Sequence, residues 1–336
     1  MERRAVMIVL TNYRGGLKEV DEGITELLNA ARGEVEAWAF RRVRREDVEA
    51  LYRYSWYDPT DFGVALVGGK APLVVGTAWA YPAPNPRGRH TIAPTIAPNT
   101  GLGREGLEKL LAWGRWRLEA LGGARGRVTI RSWLEGSTTH RLVREVLGGA
   151  GVEEHELTLM RWGGRSGRAE ALEGYVIREG DVGGDDLVEA VRIYNKVFAE
   201  ELGFVRWGVE DARRFYRREG LSLMVAEEVG GGVVGFVDGR VFRAVDGGLS
   251  AEVMTVAVLK EHRGRGLGKA LVSAMVGKLA SAGVPECRVA LVSLAGLEPL
   301  YRRLGFEEVR RFVRFEAPIT SLPAPASLGF VRRGTL

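Results

Sequence analysis

The sequence contains no glutamine and a single cysteine, Cys287. One thiol cannot close a disulfide within a chain, so stability must come from a packed core; this usage fits the cytosol, which is the expected location. The four histidines, at 90, 140, 155 and 262, are scattered without metal-ligand spacing, and no metal site is expected. No apolar run approaches the roughly 20 residues of a membrane span. Ala5–Leu10 is interrupted too soon, by Asn12 and Arg14, to read as a signal peptide. Zinc-knuckle and RNA-recognition aromatic motifs are also missing.

What is present is a globular composition, with 46% hydrophobic and 27% charged residues over 336 positions, a length suited to two domains. The net charge of +5 comes from arginine far more than lysine. Such a surplus suits nucleic acid or an acidic ligand. Basic residues alternate with acidic ones along the chain, however, which disfavours direct nucleic-acid binding.

Residues 1–36 read as a strand-helix extension, Arg4–Thr11 followed by a helix with Val20, Ile24, Leu27 and Leu28 on one face. A first domain then occupies 37–163. Its strands are Trp38–Val43, Gly63–Val67 and Leu73–Tyr81, with a hairpin turn at Gly68-Gly69-Lys70, then Thr91–Pro98, Arg127–Ser132 and Val152–Trp162. Gly163–Arg168 opens a linker, 164–172. The same order restarts in a second domain, 173–316, and a proline-containing tail covers 317–336, where Phe330-Val331-Arg332 could form a further strand. The halves match at an offset of about 160 residues: Thr95-Ile96-Ala97-Pro98 lies against Thr255-Val256-Ala257-Val258. A tandem repeat of mixed α/β (α+β) units is therefore expected.

The second half carries the chemistry-bearing stretch. Thr255–Leu259 reads as an apolar strand, Arg263-Gly264-Arg265-Gly266-Leu267-Gly268-Lys269 as a turn, and Leu267, Ala270, Leu271, Ala274 and Met275 as one buried helical face. Glycines let backbone N–H groups approach a ligand, and a helix N-terminus adds partial positive charge, so a diphosphate suits the turn. It is not a P-loop, because Arg263 stands where the first glycine belongs and Ala270 replaces the Ser or Thr. Nor is it a dinucleotide fingerprint, whose third glycine would fall on Lys269 or Leu271.

The Arg-x-x-Gly-x-Gly string, with Leu300-Tyr301-Arg302-Arg303-Leu304-Gly305-Phe306 and Asn195-Lys196-Val197-Phe198-Ala199 before Gly203-Phe204, resembles the GCN5-related N-acetyltransferase (GNAT) superfamily. The resemblance covers roughly Tyr175 to Glu316 and implies acetyl-CoA as cosubstrate, with no metal. It places backbone groups of Val256, Ala257 and Val258 against the pantetheine and thioester, and residues Arg263–Lys269 around the diphosphate. Tyr301 matches the family's general acid and Glu252 a base found in some members. Alternation puts Glu252, Met254 and Val256 on one strand face unless a bulge intervenes. The family's frequent Asn seven residues before the tyrosine is here Leu294, with the polar Ser293 adjacent, and Pro299 stands in the short helix.

The first half reads as a degenerate copy. Leu102, Glu105 and Leu107 replace Arg263, Gly266 and Gly268, Ile92 replaces Glu252, and no tyrosine precedes Gly151. A carboxylate among phosphate-binding amides repels the ligand. The expected function is acetyl transfer to an unidentified amine acceptor, in the second domain. A non-catalytic acyl-CoA-binding or regulatory protein is the alternative, and a nucleic-acid module the least favoured reading. Glu200, Glu201 and Glu210 hint at a cationic acceptor.

Overall fold

The structure, a computed structural model, describes residues 8–53, 57–68, 72–81, 90–121, 126–162, 164, 172–200, 206–284, 286–292 and 297–325. Outside them lie the linker from 165 to 171, the Gly69-Lys70 turn, Glu201, Gly203-Phe204, Ser293-Leu294 and Phe330-Val331-Arg332. The chain divides into two compact units, 1–156 with 311–336, and 157–310.

In the first unit, β1 (Ile8–Asn12) runs antiparallel to β2 (Phe62–Val67), Ile8 opposite Val67. Between them, α1 (Lys18–Gly33) buries Val20, Ile24, Leu27 and Ala31, the i, i+4, i+7, i+11 stripe that the sequence shows. α2 (Arg45–Leu51) follows, and Asp47 in its first turn accepts from the Arg44 amide at 2.8 Å and from Arg41 Nη1 at 2.9 Å. β3 (Leu73–Tyr81) and β4 (His90–Ile96) extend the antiparallel sheet. α3 (Gly103–Ala120) then returns the chain to β5 (Arg127–Leu134), which lies parallel to β4. α4 (Thr138–Leu147) leads into β6 (Val152–Trp162).

Residues 8–36 pack into this unit. Ile8 belongs to the main core of this unit and β1 is its first strand, because an apolar strand beside an open sheet edge gains a full ladder by pairing. The stretch 38–43 is not a strand either: Ala37–Ala39 is a 3-10 turn and only Arg41 forms a bridge.

The second unit repeats the order: β7 (Tyr175–Glu179), α5 (Asp185–Val197), α6 (Val209–Glu219), β8 (Ser222–Glu228), β9 (Val233–Arg243), β10 (Leu249–Val258), α7 (Leu267–Ser281), β11 (Cys287–Val292), α8 (Glu298–Arg303) and β12 (Phe306–Pro318). β7, β8, β9 and β10 are antiparallel neighbours, and β11 lies parallel to β10. α7 covers this sheet with Leu267, Leu271, Met275 and Leu279, each at most 3% exposed.

The final strands are exchanged. Leu157–Trp162 of β6 pairs with β11 and completes the second unit, whereas Phe312–Pro318 of β12 pairs with β5 and completes the first. The repeat boundary expected at 163/164 and the compact units thus do not coincide. A ladder partner far along the chain outweighs sequence proximity, since each interior strand needs neighbours on both edges.

Candidate active site

β10 is hydrogen-bonded to β11 only from Ala251 to Val253. On its other edge it follows β9 to Val258, with a bulge: Val253 faces Gly239 and Thr255 faces Asp238, leaving Met254 as the extra residue. Beyond the bulge β10 therefore leaves β11, and one backbone edge of Met254–Ala257 is open among the described residues, with Val258 O beyond it accepting from Arg263 Nε. Thr255 N–H points toward β9, where Asp238 Oδ1 accepts it at 2.8 Å. Alternation then turns Val256 N–H toward the open side. Gly235 lets β9 approach closely, since a Cβ there would sit 2.9 Å from Ala257 O.

After β10 the chain makes a 3-10 turn, Lys260–His262, and enters the glycine stretch. Gly264 and Gly266 have φ of 80° and 85°, left-handed values that disfavour a side chain, and Gly266 caps α7. The amides of Gly264, Arg265 and Gly266 make no backbone hydrogen bond among the described residues. The first amides of α7 add to this set, and its first turn holds no acidic residue. Such converging N–H groups at a helix N-terminus suit a diphosphate. The arginine side chains fold back on the protein: Arg263 Nε donates to Val258 O at 2.9 Å and Arg265 Nη1 to Tyr175 Oη at 3.1 Å. Lys269, in the first turn of α7, is half-buried.

Tyr301 sits in α8 and is 3% exposed, its ring edge-on to Phe306 at 5.4 Å. Burial pushes its phenol well above the usual tyrosine range, so it stays protonated at neutral pH. Pro299 fits the first turn of this helix. The helix start is held by Glu298, which accepts from Thr158 Oγ1 on β6 at 2.6 Å.

Glu252 lies before the bulge, so it does not share a face with Val256. It is 9% exposed and clasped by two guanidiniums, Arg240 Nη2 at 3.0 Å and Arg288 Nη2 at 2.6 Å. Arg240 also pairs with the buried Glu219 of α6. The Phe242 ring lies 5.6 Å from the Arg240 guanidinium and 5.9 Å from that of Arg288. Each Glu252 oxygen already has a cationic donor, an arrangement that suits a counter-ion rather than a base.

A cavity of about 220 Å³ opens beyond the bulge, among α5, α6, β9 and β10. Its walls are apolar and aromatic, including Val191, Tyr194, Trp207, Phe215 and Met254, and Asp238 is the one acid among the described residues that line it. Asp238 is 5% exposed and accepts from Tyr216 Oη at 2.6 Å as well as from Thr255 N–H. Burial raises its pKa to about 6, against the lowering effect of those hydrogen bonds. The sequence reading passed over this residue. The available signal is a lone carboxylate between Val237 and Gly239, at the end of the apolar run Val233–Val237.

No group of His, Cys, Asp and Glu suited to a metal occurs among the described residues, and no helix there is long and apolar enough to cross a membrane. Burial pushes the Cys287 thiol up to about 12, so it is no nucleophile at neutral pH.

Comparison with known proteins agrees with this layout. Residues 219–308 match the acetyltransferase (GNAT) domain family, from the end of α6 to the start of β12. No curated protein matches the chain significantly. Among solved structures, a tandem GNAT protein from the clavulanic acid biosynthesis pathway superposes with a TM-score of 0.62 at 16% identity, over 93% of this chain and 99% of that one. A GCN5-related N-acetyltransferase from Sphaerobacter thermophilus gives 0.59 at 18% identity, over 93% and 96%. An acetyltransferase of the GNAT family from Colwellia psychrerythraea gives 0.56 at 12% identity, over 93% and 99%. The protein thus has the tandem GNAT fold of mixed α/β units. Its second unit contains the stretch, 219–308, that matches the acetyltransferase (GNAT) domain family.

Proposed function

We propose that the second unit is an acetyl-CoA-dependent N-acetyltransferase that passes the acetyl group directly to an amine. The observation that carries this reading is the sequence of open strand edge, orphan amides and helix N-terminus along Val256–Lys269, inside the stretch that matches the GNAT domain. The cosubstrate supplies an activated acetyl group as a thioester. The amides of Gly264–Gly268 bind its diphosphate, with the first turn of α7 adding the helix dipole. Arg263, Arg265 and Lys269 set a positive field around the turn. The open edge of Val256–Ala257 pairs with the amide-bearing arm, and Val256 N–H faces the developing oxyanion.

Tyr301 holds its proton until negative charge builds on the departing sulfur, then donates it. The first unit has no matching set: Glu105 stands in the first turn of α3, where Leu267–Lys269 would meet phosphate in α7.

Isothermal titration with acetyl-CoA tests the reading directly, with one site per chain expected. Thiol release in the presence of an amine panel then reports turnover. Tyr301→Phe is expected to lower kcat by about 100-fold, the lower range for a general acid, with acetyl-CoA affinity changed less than threefold. A chain that does not bind acetyl-CoA would end the proposal.

A further inference from the structure

The cavity beside the bulge points to the kind of amine that this site receives. We propose that it takes the acceptor as a primary ammonium on an apolar, ring-sized body, with Asp238 as counter-ion and as the base that removes the first proton. This inference rests on the acetyltransferase reading above.

Asp238 differs from every other buried acid near the bulge in having only neutral partners. Its oxygens meet the Tyr216 phenol and the backbone amide and side chain of Thr255, and no ion pair to it occurs among the described residues. Glu252 acts on it repulsively and is itself paired with Arg240 and Arg288. Ionised, Asp238 is therefore a buried charge without a counter-ion, a costly state unless something positive enters. The cavity that Asp238 lines offers a cation a way in.

The rest of the wall selects what the cation is carried on. Tyr194, Trp207, Phe215 and Phe236 offer rings, and Val191 and Met254 offer aliphatic surface. Trp207 and Phe215 stand 5.2 Å apart and tilted by 54°, while the Trp207 indole is hydrogen-bonded to Tyr194. Aromatic faces attract an ammonium and pack against an apolar body. Among the described lining residues a polyamine finds one carboxylate and no second acid for its further charges. A sugar finds few groups for its hydroxyls, which costs affinity for each one left unpaired.

Position supports the chemical role. Asp238 is the register partner of Thr255, and the next residue, Val256, turns its amide to the open side. An amine held by Asp238 is thus beside the place where the thioester carbonyl lies. The groups facing Asp238 are Tyr216 of α6, Tyr194 of α5, and Thr255 and Glu252 of β10. The two phenols remain protonated because burial raises both. In the reaction the ammonium gives one proton to Asp238, and the freed lone pair forms the C–N bond. The C–S bond breaks, the sulfur takes a proton from Tyr301, the second proton lost by the nitrogen restores the phenol through water, and Asp238 returns its own proton to solvent.

The test is a titration of the full chain with 2-phenylethylamine and, separately, spermidine, with and without saturating CoA. Phenylethylamine is expected to bind at least tenfold more tightly than spermidine. Asp238→Asn keeps an acceptor for Thr255 N–H and is expected to weaken phenylethylamine at least tenfold, with CoA affinity within twofold. Ala212→Leu, which fills the cavity from α6, is expected to do the same without touching the carboxylate. The proposal is overturned if spermidine is preferred, if phenylethylamine does not bind, or if both variants bind it as the wild type does. Failure of CoA to bind, with amine binding intact, instead removes the acetyltransferase reading.

Discussion

The two units solve one register position in opposite ways. In the first, Ile92 of β4 stands between Ala80 and Ile130, and all three are fully buried. In the second, Glu252 of β10 stands between Arg240 and Arg288, with Glu219 completing an ion cluster. Apolar side chains are the less costly way to fill such a place, since buried ion pairs repay their desolvation only with good geometry. The charged version ties β9, β11 and α6 to β10 just before the strands part, beside the proposed site. The ladders differ in the same sense: β9 and β10 contain the bulge that aims Asp238, whereas β3 and β4 run in unbroken register past Thr77, its counterpart.

The openings differ as well. β4 also leaves β5 after Ile92, but the Ile96 amide, counterpart of Val256, is taken by Thr139 Oγ1 of α4 at 3.1 Å. Leu142 packs over the start of α3, where a Cβ on Gly103 would lie 3.0 Å from its Cδ1. The first unit keeps the split between strands and fills it from within.

The strand exchange gives the most drastic test of whether the units are separable. Residues 164–336 expressed alone lack β6, leaving β11 with an unpaired edge and Glu298 without Thr158. We expect aggregation or loss of cooperative unfolding by circular dichroism; a soluble, cooperative fragment would break this description. Next, Glu252→Ala should cost about 3–5 kcal/mol, because Arg240 and Arg288 lose a shared partner. Ile92→Ala in the first unit should cost about 2–5 kcal/mol through a cavity instead. Denaturant titration separates the two if Arg240 and Arg288 are also changed to apolar residues, which should rescue only the former. A catalytic role for Glu252 requires the reverse pattern, a large fall in kcat with stability unchanged.

A pH effect of intermediate size follows from Asp238. Its pKa is about 6 in the fold and 3.8 ordinarily, so the fold favours the protonated form. Its contribution to stability is full below about pH 4 and is lost as pH rises through 6, a change of about 3 kcal/mol. The stability difference between wild type and Asp238→Asn, followed from pH 4 to 7, should shrink by that amount. The smallest contrast concerns the turns. Gly266→Ala and Gly101→Ala each place a side chain at positive φ, costing about 1–2 kcal/mol. Only Gly266→Ala should also weaken acetyl-CoA binding, by about tenfold in calorimetry; equal effects would mean that both turns hold ligand.

Much of this layout was legible in the residues. The stripe of α1, the faces of α7, the glycine turn and the 160-residue echo depend on local periodicity and backbone permissiveness, and these are written in neighbouring positions. The rest is of another kind. A single strand does not announce its partner, and β1 finds β2 more than 50 positions later. For Glu252 the spacing from Val256 is visible in the sequence, whereas the bulge at Met254 and the two arginines that hold its carboxylate are not. Asp238 went unnoticed because its setting is a cavity built by four elements.

The sequence by itself determined the element order, the repeat, and the one intact glycine turn, since each follows from interactions within a few residues. Tertiary structure alone decided which strand completes which sheet, and which of two nearby carboxylates is neutralised and which faces a cavity. Ladder partners and counter-ions are chosen by proximity in space, and a linear pattern holds no record of that distance.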